Sequence, residues 1–357
     1  MFKKIFFFLL ITVSITFLIE NLINSKQLLI KHDIYHHDFA ANYSGDKVWG
    51  NNTYRVCTDS SGFKINCKDF NKLRLIKEYD LAFMGDSFTE GTDYSKSFVG
   101  LISDEYKNLK IANFAVSSYS PSIYFYKIKY LLENGYKFKH LVLYVDISDV
   151  HDEALYEEKN GKIIINYILD KTTNEVKRRT YKRIFKDFAN DYFPYIYSKL
   201  WKIKNRKLLK DEDFNFINKE KHIYKKNFVR GSWTYNPTLI YRDQFSVKEA
   251  VNKKMYYINL LSKMLEKENI KLSIGIYPWP SQILWDTRDN SSVKIMREFC
   301  IQKCTYFFNN NDYFFDYLEK SNKWDVLKKY YIINDIHFND EGHKILAENF
   351  IAKYIDR

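Results

Sequence analysis

Short apolar runs alternate with longer amphipathic stretches along the chain from residue 78 onward. The apolar runs predict strands at residues 81–84, 110–116, 139–148 and 271–280, with residues 312–318 as a candidate fifth strand. The amphipathic stretches predict helices at residues 95–107, 121–135, 246–268, 291–308 and 340–355. This alternation favours a parallel sheet covered by helices on both faces, so the predicted fold is a three-layer α/β/α, flavodoxin-like sheet.

The alternating pattern breaks between residues 151 and 245, where a basic and aromatic segment separates the third and fourth predicted strands. Its central part, residues 177–210, favours helix. We interpret residues 151–245 as a mostly helical insertion in a domain that spans residues 78–357. The insertion would lie over the carboxyl edge of the sheet as a lid or docking element. A solvated amphipathic helix pair without a special role is an equally good interpretation.

The first 24 residues predict a membrane anchor. Lys3 and Lys4 precede an uncharged run at residues 5–19, whose length lies between a signal peptide's apolar region and a short membrane span. No small-x-small cleavage site follows, which favours an uncleaved anchor over a cleaved signal peptide. The two lysines place the N-terminus in the cytoplasm, so the rest of the chain would be periplasmic or extracellular.

The charge and composition exclude some classes of protein. Apolar residues make up 46% of the chain, which is enough for a sizeable core. The formal net charge of +12 invites a nucleic-acid interpretation, but no RNP sequence, zinc finger or basic zipper accompanies it. We therefore expect no nucleic-acid partner. A cationic surface is equally suited to anionic lipid or to an acidic glycan.

The four cysteines fit an exported protein. Cys57 and Cys67 bracket a Ser-Ser-Gly turn in the N-terminal segment at residues 25–77, and they are candidates for a disulfide that closes this loop. Cys300 and Cys304 are four residues apart in a predicted helix, where a bridge and two buried thiols are equally expected. Neither pair resembles a zinc site, and we expect no metal and no other cofactor.

Residues 81–91, LAFMGDSFTEG, place a serine just past the carboxyl end of a predicted strand, where ligands of open α/β sheets bind. Ser87 is a candidate nucleophile, although it could equally be the N-cap of the next helix. A serine nucleophile needs a base and an orienting carboxylate. Asp335 and His337 supply both residue types just ahead of the last predicted helix, in a loop that would follow the last strand.

This pairing of Gly-Asp-Ser and Gly91 with D-x-H-x5-H at residues 335–343 resembles the SGNH (GDSL-type) hydrolase family over residues 78–150 and 247–355. The resemblance implies a three-layer α/β/α fold that cleaves or transfers acyl esters. It implies that Ser87 is the nucleophile, His337 the general base and Asp335 its orienting carboxylate. Many members have Asp-x-x-His, whereas Asn334 stands at that position here. The shorter spacing resembles a subset that includes extracytoplasmic polysaccharide acetyltransferases.

The resemblance also implies an oxyanion hole. Its donors would be the backbone N–H of Ser87, the backbone N–H of Ser118 where glycine is usual, and the hydroxyl of Ser148 where asparagine is usual. Asp146, Asp149 and Asp152 would support the site or cap a helix.

Several other residues are candidate contacts. Trp279 and Trp285 could stack on a sugar ring, although packing beneath the insertion is the commoner fate of such residues. Trp233 is a candidate substrate contact or supporting residue together with its neighbours Arg230 and Arg242. The remaining candidates are His343, expected to be structural rather than a metal ligand, and a solvated histidine cluster at His32, His36 and His37.

Together these features predict a membrane-anchored, extracytoplasmic serine esterase that removes acyl groups, acetyl in the first place, from cell-surface carbohydrate. An O-acyltransferase with the same triad, supplied by a membrane acyl-donor protein, is one alternative, and the sequence does not separate the two. A non-catalytic surface binding protein on a decayed site is another, with Ser118 and Ser148 as the marks of decay. The expected partners are acylated carbohydrate and the cell membrane.

Overall fold

The computed structural model describes residues 28–49, 52–70, 75–165, 216–241 and 245–354, together with residues 11, 12, 14 and 15. The described residues from 29 onward belong to one compact unit, and every element named below lies in it. The predicted anchor, residues 1–24, and the basic stretch 177–210 lie wholly or almost wholly outside the described residues. No helix in the described part of the chain is long and apolar enough to cross a membrane.

Strands and helices alternate as the sequence predicts. The described strands, in chain order, are β1 (Leu29–His32), β2 (His36–Phe39), β3 (Ser44–Trp49), β4 (Asn52–Thr58), β5 (Lys64–Ile65), β6 (Glu78–Met84), β7 (Ile111–Asn113), β8 (Lys137–Tyr144), β9 (Tyr156–Lys159), β10 (Lys162–Ile165), β11 (Ile240–Tyr241), β12 (Phe245–Ser246), β13 (Lys271–Ile276) and β14 (Phe307–Asn309). The described helices are α1 (Ser87–Glu90), α2 (Phe98–Glu105), α3 (Pro121–Glu133), α4 (Asp149–Glu153), α5 (Val247–Lys267), α6 (Pro280–Trp285), α7 (Ser291–Lys303), α8 (Asn311–Leu318), α9 (Lys323–Tyr330) and α10 (Asp340–Lys353).

A five-stranded parallel sheet forms the centre of the unit, in the order β14-β13-β8-β6-β7. Counted along the chain, this is the order 2-1-3-4-5 of flavodoxin-like doubly wound sheets. The interior strand β6 is buried on both faces, and Leu81, Ala82, Phe83 and Met84 have no exposed surface. Burial on both faces explains why the sheet strands appear in the sequence as unbroken apolar runs.

The order in which the chain adds strands reverses once within this sheet, and open α/β sheets bind ligands at such a reversal. The connection through α2 leads from β6 to β7 on one side, whereas the connection through α3 leads from β7 back past β6 to β8. Because such crossovers are right-handed, α2 and α3 cover opposite faces. Helix α3 packs on α5, and α2 packs on α10, which gives one helical layer on each face. The switch point lies between the carboxyl ends of β6 and β8.

The candidate fifth strand at residues 312–318 is wrong. These residues belong to helix α8, and the fifth strand is β14, where the predicted helix 291–308 has already ended at Lys303. In α8 the buried residues are Asn311, Phe314 and Phe315, a spacing that places them on one face of a helix. A strand would have pointed the two adjacent phenylalanines to opposite faces.

The N-terminal segment packs on the α/β core rather than standing apart from it. Strands β1 and β2 form a hairpin and β3–β5 form a small antiparallel sheet. Asp38 of β2 forms a buried ion pair with Lys127 of α3 at 2.8 Å. The predicted Cys57–Cys67 disulfide is present. Cys300 and Cys304 at the end of α7 are also bridged, which settles the choice left open between a bridge and two thiols.

The described ends of the predicted insertion contribute to the core. Residues 156–165 form the β9–β10 hairpin, and Tyr224, Trp233 and Tyr241 are buried in the main hydrophobic cluster. The described ends are therefore not a detached lid, and they carry a hairpin and 3-10 turns rather than long helices. The lid interpretation stays a prediction for residues 166–215, which lie outside the described residues, as does Arg242.

Candidate active site

The turn after β6 exposes one side chain. Among residues 81–91 only Ser87 keeps partial exposure, and its neighbours on both sides are buried. A Cβ on Gly85 would lie 2.2 Å from the Thr89 hydroxyl and 3.0 Å from the Tyr144 carbonyl, so the turn has no room for another residue there. Gly91 closes α1 in a left-handed conformation, with φ of 68°. The two glycines thus bracket a one-turn helix that presents Ser87 at the carboxyl edge of the sheet.

The N-cap of this helix is Asp86 and not Ser87. The Asp86 side chain accepts a hydrogen bond from the backbone N–H of Phe88 at 3.0 Å and another from the Tyr277 hydroxyl at 3.1 Å. Burial, and then the charge of Asp146, raise the pKa of Asp86 well above its usual range. Asp86 therefore caps the helix, and the Ser87 hydroxyl is available to another partner.

That partner is His337. The Ser87 Oγ lies 2.9 Å from Nε2 of His337, and Nδ1 of His337 lies 2.5 Å from Oδ1 of Asp335. The same Asp335 oxygen accepts the backbone N–H of His337 at 2.9 Å. A carboxylate accepts a hydrogen bond and does not donate one, so Nδ1 carries the ring proton and Nε2 accepts from the serine hydroxyl. This is the protonation pattern that a serine nucleophile requires.

The loop that carries Asp335 and His337 is a tight turn. It comes after the last sheet strand, β14, as predicted, and the helices α8 and α9 lie between that strand and the loop. The backbone N–H of Ile332 bonds to the carbonyl of His337, and that of Asp335 to the carbonyl of Ile332. Asn334 adopts a left-handed conformation, with φ of 62°. Its side-chain oxygen accepts the N–H of Asn218, so Asn334 faces the returning insertion while Asp335 faces the histidine.

Asp335 stays ionised near neutral pH. Burial alone would raise its pKa, but the hydrogen bond and charge of His337 and the indole N–H of Trp49 together lower the pKa to about 2. Trp49 Nε1 lies 3.3 Å from Oδ2 of Asp335, and its ring meets the His337 ring edge-on at 4.3 Å. The side chains of His337 and Asp335 are 13% and 27% exposed, so the pair remains accessible to a substrate.

Trp49→Phe is expected to lower kcat/KM for ester turnover about 3- to 10-fold, because it removes one of the hydrogen bonds that hold Asp335. The ring packing against His337 is kept, so the change should fall on kcat more than on KM. Steady-state kinetics on a small acetyl ester checks this. Trp285→Phe is the matched control, since that indole donates to the carbonyl of Tyr224 and not to Asp335. Equal losses in the two variants would count against a role for Trp49.

The backbone N–H groups of Ser87 and Ser118 are the expected oxyanion donors. Neither the N–H of Ser87 nor that of Ser118 has an acceptor in the described part of the chain. Ser118 lies in the loop after β7 and is exposed, and its φ is 65°. Glycine adopts this conformation without strain, so the structure agrees with a position where the resembling family has glycine. The serine is tolerated because its side chain faces solvent.

The third expected donor is less well placed. Ser148 is buried just before α4, and its hydroxyl bonds to Oδ2 of Asp152 at 3.5 Å. Its backbone N–H bonds to Oδ1 of Asp146 at 2.6 Å. A hydroxyl has a single proton, so Ser148 has to turn away from Asp152 before it can donate to an oxyanion. Asp149 is a supporting residue, since its carboxylate accepts the Tyr124 hydroxyl at 3.0 Å and the Asp146 N–H at 3.1 Å.

Two of the three tryptophans proposed as substrate contacts, Trp279 and Trp233, are packing residues. Trp279 is 1% exposed and donates to Oδ2 of Asp146 at 2.7 Å, which leaves no ring face for a sugar. Trp233 is 3% exposed and donates to the carbonyl of Ile147 at 2.8 Å. Arg230 lies over the Trp279 ring and pairs with Asp152 at 2.8 Å, where it balances part of the buried negative charge. Trp285 is 43% exposed, so its role as a substrate contact stays a prediction.

His343 is structural, as expected. It is 4% exposed in the first turn of α10, between the rings of Phe98 and Phe338, and its Nδ1 has no hydrogen-bond partner among the described residues. Burial lowers its pKa to about 3. No group of three or more metal-ligating side chains occurs in the described part of the chain.

The protein is expected to lose stability as the pH falls from about 6.5 toward 3, in part through His343. In the unfolded chain His343 takes up a proton near pH 6.5, whereas in the folded protein it does so only near pH 3. Protonation between these pH values therefore favours the unfolded chain, so the free energy of unfolding is highest above pH 6.5 and falls as the pH decreases toward 3. This histidine accounts for roughly 3–5 kcal/mol of the change. His343→Leu should unfold with a smaller acid dependence, measured by urea titrations at several pH values. An unchanged dependence would contradict the assignment.

Three residues support the active site although the sequence indicated no role there for them: Trp49, Glu90 and His37. Glu90 accepts the backbone N–H of Ser117 at 2.8 Å, and its hydroxyl as well. His37 bonds to the carbonyl of Ser117 at 2.8 Å. The histidine cluster was expected to be solvated, but His36 and His37 are partly buried, and burial lowers the pKa of both. Of the three, only Glu90 stood out in the sequence, because it is an acidic residue in the turn between Gly85 and Gly91.

No protein-family model matches the chain, and no curated protein matches it either. The class of the protein therefore rests on fold and site. It is an α/β protein with a five-stranded, doubly wound parallel sheet, and a Ser–His–Asp arrangement lies at the carboxyl edge of that sheet.

Proposed function

We propose that this protein is an SGNH-type serine hydrolase that acts on O-acyl esters through an acyl-enzyme on Ser87. The observation that carries the proposal is the hydrogen-bonded relay from Ser87 through His337 to Asp335, at a partly exposed position on the sheet edge. A buried structural network of these residue types would not need an accessible serine hydroxyl.

The geometry supports a two-step acyl transfer. His337 Nε2 takes the proton of Ser87 as Oγ attacks the ester carbonyl, and ionised Asp335 stabilises the resulting imidazolium. The negative carbonyl oxygen is stabilised by the N–H groups of Ser87 and Ser118. The alcohol then leaves with the proton from His337, and a second hydroxyl group, activated by the same histidine, cleaves the acyl-enzyme.

The acyl group and its carrier are inferred from the sequence. O-acetyl esters of cell-surface carbohydrate are the proposed substrates, because the predicted anchor and the two disulfides favour a location outside the cytoplasm. Water as the second hydroxyl gives an esterase. A sugar hydroxyl gives an O-acyltransferase, and the two activities share every residue named above.

The proposal is tested by labelling residues 25–357 with a fluorophosphonate probe and mapping the modified residue. We expect modification at Ser87, none in Ser87→Ala, and a sharp decrease in His337→Ala. Ser95→Ala is the control, since Ser95 follows closely in sequence but its hydroxyl bonds to Asp93 at 2.8 Å. Absence of labelling in a folded fragment, and again in the full chain in detergent, would favour a non-catalytic binding protein.

A further inference from the structure

The loop after β7 contains a peptide group that is held from both sides. The carbonyl of Ser117 and the N–H of Ser118 belong to one planar peptide unit, and none of the described peptide bonds is cis. In a trans peptide the C=O and N–H point in opposite directions, so fixing one of them also aims the other. His37 Nε2 lies 2.8 Å from the Ser117 carbonyl oxygen. The free N–H of Ser118 is the other end of this unit.

Neighbouring groups hold the rest of the loop. Glu90, at the end of the helix that starts with Ser87, accepts both the N–H and the hydroxyl of Ser117. Lys64, whose side chain has no exposed surface, lies 3.8 Å from the Glu90 carboxylate. The Tyr156 hydroxyl donates to the carbonyl of Ser118 at 2.9 Å. A serine with positive φ is strained, and these contacts hold it in that conformation.

The hydrogen bonds determine which ring nitrogens carry protons. A carbonyl only accepts, so Nε2 of His37 carries a proton, and Nδ1 of the neutral ring is an acceptor. Nδ1 of His36 lies 2.7 Å from Nδ1 of His37, so Nδ1 of His36 carries a proton and donates to His37. Burial lowers the pKa of His36 to about 4, so this ring is neutral near pH 7. The chain of donors runs from His36 to His37 and on to the Ser117 carbonyl.

Such a chain affects the far end of the peptide group. Hydrogen bonds in series polarise one another, and a peptide whose carbonyl accepts a hydrogen bond is a stronger donor through its N–H. An oxyanion is stabilised by donors that are already aimed before the charge develops. The hydrogen bond from His37 of β2 to the Ser117 carbonyl therefore fixes the direction of the Ser118 N–H and also makes it a stronger hydrogen-bond donor.

We propose that His37 is a positioning residue for catalysis at Ser87, because it orients the Ser117–Ser118 peptide so that the Ser118 N–H donates to the oxyanion. This inference rests on the proposed function. It assigns to the N-terminal segment a part in the reaction, although His37 does not touch the reacting atoms.

Two amide substitutions separate orientation from simple packing. In His37→Gln the amide nitrogen can take the place of Nε2 and still reach the Ser117 carbonyl. In His37→Asn the amide lies near the place of Nδ1 and is too short to reach it. With a small acetyl ester, we expect His37→Asn to lose about 10- to 100-fold in kcat with KM within about twofold, and His37→Gln to retain most of the activity.

The inference is overturned if folded His37→Asn keeps the wild-type kcat, or if His37→Gln and His37→Asn lose kcat equally. Nitrogen-15 spectra of the imidazole rings give a readout independent of activity, with His37 protonated on Nε2 and His36 on Nδ1. The opposite tautomer of His37 would also overturn the inference. If the wild-type protein has no esterase activity and no reactive Ser87, the proposed function fails and this inference fails with it.

Discussion

Replacing Ser87 or His337 by alanine is expected to lower kcat/KM for ester turnover by about 10⁴-fold or more. Among the described residues, Ser87 Oγ has one hydrogen-bond partner, Nε2 of His337 at 2.9 Å. A neutral hydroxyl without a base is a poor nucleophile. The loss should appear in kcat, because neither change removes the surface that binds the substrate.

The two substitutions should be strongly non-additive. Once either residue is missing, the other has no function in the relay, so the double variant is expected to be about as active as each single variant. Initial rates with a chromogenic acetyl ester measure this, with thermal unfolding to show that each variant is folded. Independent, multiplying losses would contradict a shared relay, and a fully active Ser87→Ala would contradict the site.

Asp335→Asn is expected to lower kcat by about 10⁴-fold while the fold is retained. An amide in place of the carboxylate can donate to Nδ1 of His337, which favours the tautomer with the proton on Nε2. That tautomer cannot accept the Ser87 proton. The substitution also removes the negative charge of Asp335. In the wild-type protein this charge pairs with His337, and the pairing helps to lower the pKa of Asp335 to about 2.

A second substitution tests which residue orients the histidine. The Asp-x-x-His pattern of many SGNH enzymes would place the carboxylate at Asn334, whose side chain instead bonds to the backbone N–H of Asn218 at 2.8 Å. Asn334→Asp in the Asp335→Asn background should therefore not restore activity. Restored activity would show that the loop can present either residue to His337 and would contradict the geometry described above. The kcat of the two variants, compared with the wild-type protein, gives the result.

The parallel sheet could be predicted because each of its strands is marked by a short continuous stretch of the sequence. Strands buried on both faces, such as residues 81–84, must be apolar at every position, and helices follow them in the sequence. The Ser87 turn was also predictable, since the two glycines mark a bend that other residues cannot adopt. The error at residues 312–318 has a local cause as well. Aromatic residues suit strands and buried helix faces alike, and only their contacts decide.

The supporting residues could not be predicted, because their contacts join distant parts of the chain. Trp49 and Asp335 are 286 positions apart, and His37 and Ser117 are 80 positions apart. Single tryptophans and histidines occur throughout the sequence, and nothing in their local pattern distinguishes these two. Trp279 shows the converse: its position after a sheet strand suggested a substrate contact, but the buried Asp146 carboxylate turns it inward.

The most direct test of an acyl-enzyme at Ser87 is the mass of the intact protein, quenched in acid within milliseconds to seconds of mixing with an acetyl ester. We expect an increase equal to one acetyl group, located on Ser87 by peptide mapping and absent from Ser87→Ala. Turnover without any covalent adduct, or an adduct on another residue, would contradict an acyl-enzyme at Ser87.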